Sequence, residues 1–148
     1  MAITIQTNND ITLAAGYKFY GNGESITGTA GAVGVTIDGN GSVITSGSKG
    51  YRRMAGSWTI TAWSLIADVS GTVSFTIKKC TTGEFPTTAS IVAAANPALS
   101  SQQLNSSSSL GTWTVAIADG DILEWVIDAS PTPATITRVT LQVTLAKA

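Results

Sequence analysis

Hydrophobic and polar positions alternate with a period of two along much of this chain, the mark of strands that bury one face. The clearest instance closes the sequence. Val139, Leu141, Val143 and Leu145 share one phase, and Arg138, Thr140, Gln142 and Thr144 the other. Thr72–Lys78 alternates in the same way, with Val73, Phe75 and Ile77 predicted to point inward. Ahead of it, Trp58, Ile60 and Ala62 hold one phase, and Trp63 and Leu65 take the other. That strand is either buried on both faces or bulged near Ala62. Between the two, Asp68-Val69-Ser70-Gly71 reads as a tight turn with Gly71 at positive φ, which makes Trp58–Cys80 a central hairpin.

Weaker patterns fill the remainder. VGVTI and SVIT flank Asp38-Gly39-Asn40-Gly41 and read as a second hairpin, with a further turn at Gly47–Gly50. Thr87–Ala95 is a strand or one helical turn, stopped by Asn96-Pro97. Leu99–Leu110, LSSQQLNSSSSL, reads as a long polar surface loop pinned at Leu99, Leu104 and Leu110. Trp113, Val115 and Ile117 alternate, Ala118–Asp121 is a turn, and Ile122–Asp128 is apolar on both faces except at Glu124. Roughly eight strands with short connections and no convincing helix predict an all-β chain, folded as an antiparallel β-sandwich or jelly-roll-like domain.

Residues 1–32 form a predicted N-terminal arm for anchoring or oligomerisation, and 33–148 the β-sandwich domain. In the arm, AITIQ and DITLAA are short strand-like pieces, and a glycine-rich run after Tyr20 reads as a flexible or extended connector. Tyr17, Phe19 and Tyr20 either anchor in a partner's pocket or pack as a small strand on the domain's own core.

Composition narrows the function. Of 148 residues only 11% are charged, against about 25% in an average globular protein. Thr and Ser take the polar positions instead, which suits a pleated surface and a face that meets other subunits. The net charge is −1, and Arg52-Arg53 and Lys78-Lys79 are too small to make a basic patch, so neither a nucleic acid nor a membrane is an expected partner. Arg52-Arg53 is either an interface pair meeting a carboxylate or a solvated pair. The single Cys80 permits no disulfide within the chain and reads as a small apolar residue. MAITIQTNND lacks a basic start and a long apolar run, so synthesis in a cytoplasm and release by lysis are expected.

The absence of histidine removes the usual general base, zinc ligand and catalytic triad. Asp119 and Asp121 in a glycine turn could offer oxygens to calcium, although Asp-Gly is also ordinary turn chemistry. Glu24, Glu84 and Glu124 are scattered, and Glu124 reads as a strand-face residue with a hydroxyl or arginine partner. The chain is expected to be no enzyme and to carry no cofactor and no metal. The four tryptophans all fall in predicted strands and serve the core, which leaves Tyr51 and Phe85, near turns, as the candidates for an exposed aromatic binding loop.

Several segments carry a resemblance: VGVTIDGNGSVITSGSKGY at 33–51, WTITAWSLIADVSG at 58–71, Phe85-Pro86-Thr87, the leucine–serine stretch before Gly111-Thr112-Trp113, ADGDIL at 118–123 and ATITRVTLQVTL at 134–145. In this order they resemble a β-sandwich domain of tailed-bacteriophage virions, found in tail-fibre and minor structural proteins and in head-decoration proteins. VSFTIKKC departs modestly from that pattern. The resemblance implies a virion protein, with a capsid decoration (cement) or head-fibre role binding the major capsid protein. The alternative is a tail-fibre tip module that binds a host receptor or glycan. It also implies a homo-oligomer, most often a trimer, and it brings no catalytic residues.

Overall fold

The computed structural model describes residues 30–148, together with the backbone of four short strands before them. Of these, β1 (Ile3–Ile5) pairs antiparallel with β2 (Ile11–Leu13), and β3 (Tyr20–Gly21) with β4 (Glu24–Ser25). The strand-like pieces of the arm are therefore strands, and part of the glycine-rich run expected to be a connector forms a small pair. Tyr17 and Phe19 lie outside the described residues, and Tyr20 is described by its backbone pairing alone.

From Ala30 onward the chain is all-β and antiparallel, with no helix among the described residues. The strands are β5 (Ala30–Asp38), β6 (Gly47–Arg53), β7 (Trp58–Cys80), β8 (Ala89–Ser90), β9 (Ala98–Ser107), β10 (Ala116–Ile117), β11 (Ile122–Ile127) and β12 (Arg138–Lys147). They form one sheet of order β5-β12-β7-β11-β6, with β8, β9 and β10 also paired to β7. The sheet folds over on itself. One leaf holds β5, β12 and the first half of β7; the other holds the second half of β7 with β11 and β6. Leu65, Val139, Leu141 and Val143 from the first leaf and Phe75, Ile77, Leu123 and Trp125 from the second belong to one buried cluster. This is a sandwich core made by alternation on both leaves.

The centre of the fold differs from the expected hairpin. Trp58–Cys80 is one strand of 23 residues that passes from leaf to leaf. Trp58–Ala67 pairs with β12, and Phe75–Cys80 pairs with β11. Turn-forming residues at 68–71 serve a different purpose. β9 runs alongside β7 on both sides of this stretch, and the register slips between Ile66 and Gly71. The slack lets the strand bend around Thr135–Thr137. Asp68 accepts hydrogen bonds from the Thr137 hydroxyl and from the Thr137 and Arg138 amides, while Thr135 donates to the Ser70 carbonyl at 3.0 Å. A Cβ on Gly71 would lie 2.6 Å from both Ile136 Cγ1 and Thr135 Oγ1. Glycine is required there for close packing, and its φ is not positive. The bulge expected near Ala62 falls at Thr61, where the β12 register skips one residue.

Three other local expectations give way to long-range pairing. SVIT does not return against β5; β12 takes that place, and Ile44 donates instead to the Ile136 carbonyl at 3.0 Å. Gly47–Gly50 lies within β6, with a register shift opposite Trp125 and Val126, and is no turn. LSSQQLNSSSSL is no loop: most of it is β9, whose polar sequence suits a strand exposed on one face. Leu99 is buried there, but Leu104 points to solvent and pins nothing. Trp63, Trp113 and Trp125 are core residues, Trp113 from a bend and not a strand. Ala30 and Ala146 are register partners, so the described domain is entered and left at adjacent points.

Candidate functional site

Three surfaces stand out once the strands are in register. The first is the outer face of the leaf formed by β9, β7, β12 and β5. Residues directly paired across strands share a face. One row reads Leu104, Ile66, Thr140, Thr36, and the next Ser106, Ser64, Gln142, Gly34. Ala62, Thr144 and Ala32 continue the face. No charged side chain interrupts these rows. Thr36 and Thr140 hydroxyls hydrogen-bond at 2.9 Å. Ile66 and Leu104 are 54% and 61% exposed, two large aliphatic side chains side by side in water. Sequence reasoning missed them. The available signal was a lone leucine in a polar, strand-length run, which burial does not explain.

The second surface is built on β6 and the connection from β7 to β8. Tyr51, from β6, and Phe85, from that connection, meet edge to face with ring centroids 5.1 Å apart and planes at 85°. They remain 49% and 45% exposed. Beneath them Glu124, on β11, is buried and accepts a hydrogen bond from the Thr88 hydroxyl. Burial alone would raise its carboxyl. The hydroxyls of Thr88 and Ser48, the charge of Lys78 and the Tyr51 hydroxyl outweigh burial and hold it below the usual carboxylate range. The hydroxyl partner expected for Glu124 is thus present. Glu84 is fixed in the same connection, where the amide and hydroxyl of Thr81 lower its carboxyl. A shallow cleft of about 380 Å³ adjoins, lined by Lys79, Glu84, Thr87, Thr88 and Ala89. The structure brings Tyr51 and Phe85 together, and the contact clasps the connection onto the sheet.

The third surface lies at the end of β6. Arg52 and Arg53 are exposed and form no ion pair with a carboxylate among the described residues. Both line a gap of about 300 Å³ with Val33, Met54, Trp58 and Leu145. Lys147 stands over the Trp58 indole, 4.9 Å from the ring centroid.

The two acids of the Ala118–Asp121 turn do not converge. Asp119 accepts the Gly56 amide at 2.6 Å, and Asp121 is buried against Lys79 at 2.8 Å and the Ala118 amide at 2.9 Å. No group of three or more His, Cys, Asp or Glu placed to share a metal occurs among the described residues. Asp128 accepts from Ser74 at 2.5 Å, Thr76 at 2.7 Å and Asn96 at 2.8 Å, a network that ties β11 to β7. Cys80 is buried, which raises its thiol.

No protein-family description matches the chain, and no curated protein does. It is similar to a chain in the solved structure of infectious bursal disease virus, Gx strain, at 14% identity and a TM-score of 0.33. The match covers 99% of this chain and 43% of that one.

Proposed function

We propose that this chain is a non-enzymatic structural protein of a virion. It decorates or cements a capsid head, or stands on it as a head fibre, by binding the major capsid protein. The observation that carries the reading is the outer face of hydroxyl, amide and small side chains, with Ile66 and Leu104 at its edge and charge confined to the Arg138–Asp38 pair at its end. Burying such a face against protein costs little desolvation, and aliphatic groups at its margin favour contact. The resemblance of 33–145 to virion sandwich domains points the same way, and it implies self-association, with a trimer as the expected state. The lack of histidine and the structural use of Asp68, Asp121, Glu124 and Asp128 fit a protein without a reaction. Residues 1–32 are the proposed anchor to the capsid. Electron microscopy of virions labelled with an antibody to this chain tests the reading: label over the head supports it, and label absent from virions overturns it. Deleting residues 1–32 should leave the domain folded and abolish capsid binding, and Ile66→Asp with Leu104→Asp should weaken it.

The exposed Tyr51–Phe85 pair favours a second reading, a tail-associated module that recognises a host receptor or glycan. Label confined to the tail, with a glycan-array signal lost on Tyr51→Ala or Phe85→Ala, would establish this reading over the first.

A further inference from the structure

The two ends of the strand order, β5 and β6, approach each other, and the gap lined by Arg52 and Arg53 opens between them. Three features coincide there. β5 pairs with β12 from Ala30 to Asp38, and its other edge has no strand partner among the described residues. Among the described residues, that leaves one edge of β5 without a neighbouring strand, the usual template for an added strand. The gap beside it has an apolar floor of Val33, Met54, Trp58 and Leu145.

Charge supplies the third feature. The described cations are Lys49, Arg52, Arg53, Lys78, Lys79, Arg138 and Lys147. Lys79 is held by Asp121 and Arg138 by Asp38, while Lys78 faces Glu124. Arg52 lines the gap and Lys147 stands over the Trp58 ring of its floor, while the Arg53 guanidinium turns away to lie beside Gly120; no acidic residue lines the gap. In a chain with so few charges, Arg52 and Lys147 thus flank a strand edge that has no strand partner among the described residues.

We propose that the gap is a docking slot for an extended acidic peptide segment of a partner protein, added as a strand along the free edge of β5. The segment's backbone would complete the edge hydrogen bonds. Its apolar residues would alternate into the gap, and its carboxylates would meet the guanidinium fork of Arg52 and the ammonium of Lys147. A nucleic acid fits less well, since two cations make no stripe and the floor is apolar. The inference does not depend on the virion reading, because it names the chemistry of the segment and not the protein that carries it.

The test uses the full chain and a fluorescein-labelled octapeptide of alternating valine and aspartate, with binding read by anisotropy. The peptide should bind, and raised salt should weaken it severalfold. Arg52→Glu with Lys147→Glu should weaken binding by about tenfold or more, while Lys78→Gln, on β7 beside Glu124, should leave it unchanged. The same peptide with alternate amides N-methylated keeps its charge but cannot pair as a strand, and it should not bind. Equal binding of a valine–lysine peptide, of the N-methylated peptide, or of the original peptide to the double variant would overturn the proposal, as would tighter binding of a short single-stranded RNA. Salt dependence and the two control peptides are read on the unaltered protein, so the proposal remains testable whatever the stability of the variants.

Discussion

The carboxylate of Asp68, in the bend of β7, takes the hydroxyl of Thr137, a residue 69 positions further along the chain. Its other oxygen accepts the amides of Thr137 and Arg138 at 3.2 and 3.0 Å. One side chain therefore fixes both the bend in the long strand and the start of β12. The Thr137 hydroxyl first, and the Arg138 amide next, lower its pKa from 3.8 to about 2.

A carboxyl lowered on folding stabilises the native state above its unfolded pKa, and that contribution disappears as the pH falls through the folded value. Asp68 should thus contribute fully at neutral pH and lose its contribution between about pH 4 and about pH 2. Asp68→Asn should lower the thermal midpoint at pH 7 and flatten the acid limb in that window. Asp38, Glu84 and Glu124 are also lowered, so the limb should shrink without vanishing. Melting curves from pH 2 to 7 check this, and an unchanged acid limb in the variant would contradict it.

Gly71→Ala should destabilise the protein by ~1–3 kcal/mol, the usual cost of forcing extra volume into a packed site. The new Cβ would lie 2.6 Å from Ile136, which is fully buried. Adding Ile136→Ala should make the pair less than additive, because it removes the Cγ1 that the new Cβ would meet. Urea denaturation of the singles and the double measures the coupling, and simple additivity would mean that the two sites do not touch.

Much of the fold was legible in sequence, and the failures share a cause. β12 reads correctly because one of its faces is fully buried and the other polar, so the period of two survives in the residues. β9 was hidden because its exposed positions are serine and glutamine, which also make loops. The central hairpin was misread because Asp68 and Gly71 are turn residues by composition, but here they serve a carboxylate clasp and a close contact. Both purposes are set by Thr135–Arg138, which no local window contains. The sites follow the same rule. Tyr51 and Phe85 were visible as aromatics near turns, and the charge of Arg52 and Arg53 was plain. The contact between the rings and the gap beside β5 exist only after folding.

Phe75→Ala should cost ~3–5 kcal/mol. Phe75 is fully buried where β7 enters the second leaf and pairs with Ile127 of β11. A loss of that size is a large part of a domain's stability. Chemical denaturation with near-ultraviolet circular dichroism reads it, and a loss well below the range would indicate that the sandwich closes over the cavity.

Phe85→Ala should act locally. Edge-to-face pairs contribute ~0.5–1.5 kcal/mol, and here the contact holds the connection over Glu124. Amide exchange in Thr81–Thr88 should speed up, with β12 unchanged. Uniform acceleration across the domain would show that the pair supports the whole fold.

Because Ala30 and Ala146 are register partners, the described domain has its two ends at one corner. Tension applied through those ends would enter the β5–β12 ladder at its terminal rung and open the hydrogen bonds one after another, as a zipper opens. Tension applied between Asp38 and Ala146 would load the same ladder in shear and strain its rungs together. Force spectroscopy with handles at those two pairs of positions should give the lower rupture force for the first, and equal forces would contradict the geometry. A body whose two ends share one corner is a poor link in a chain under load.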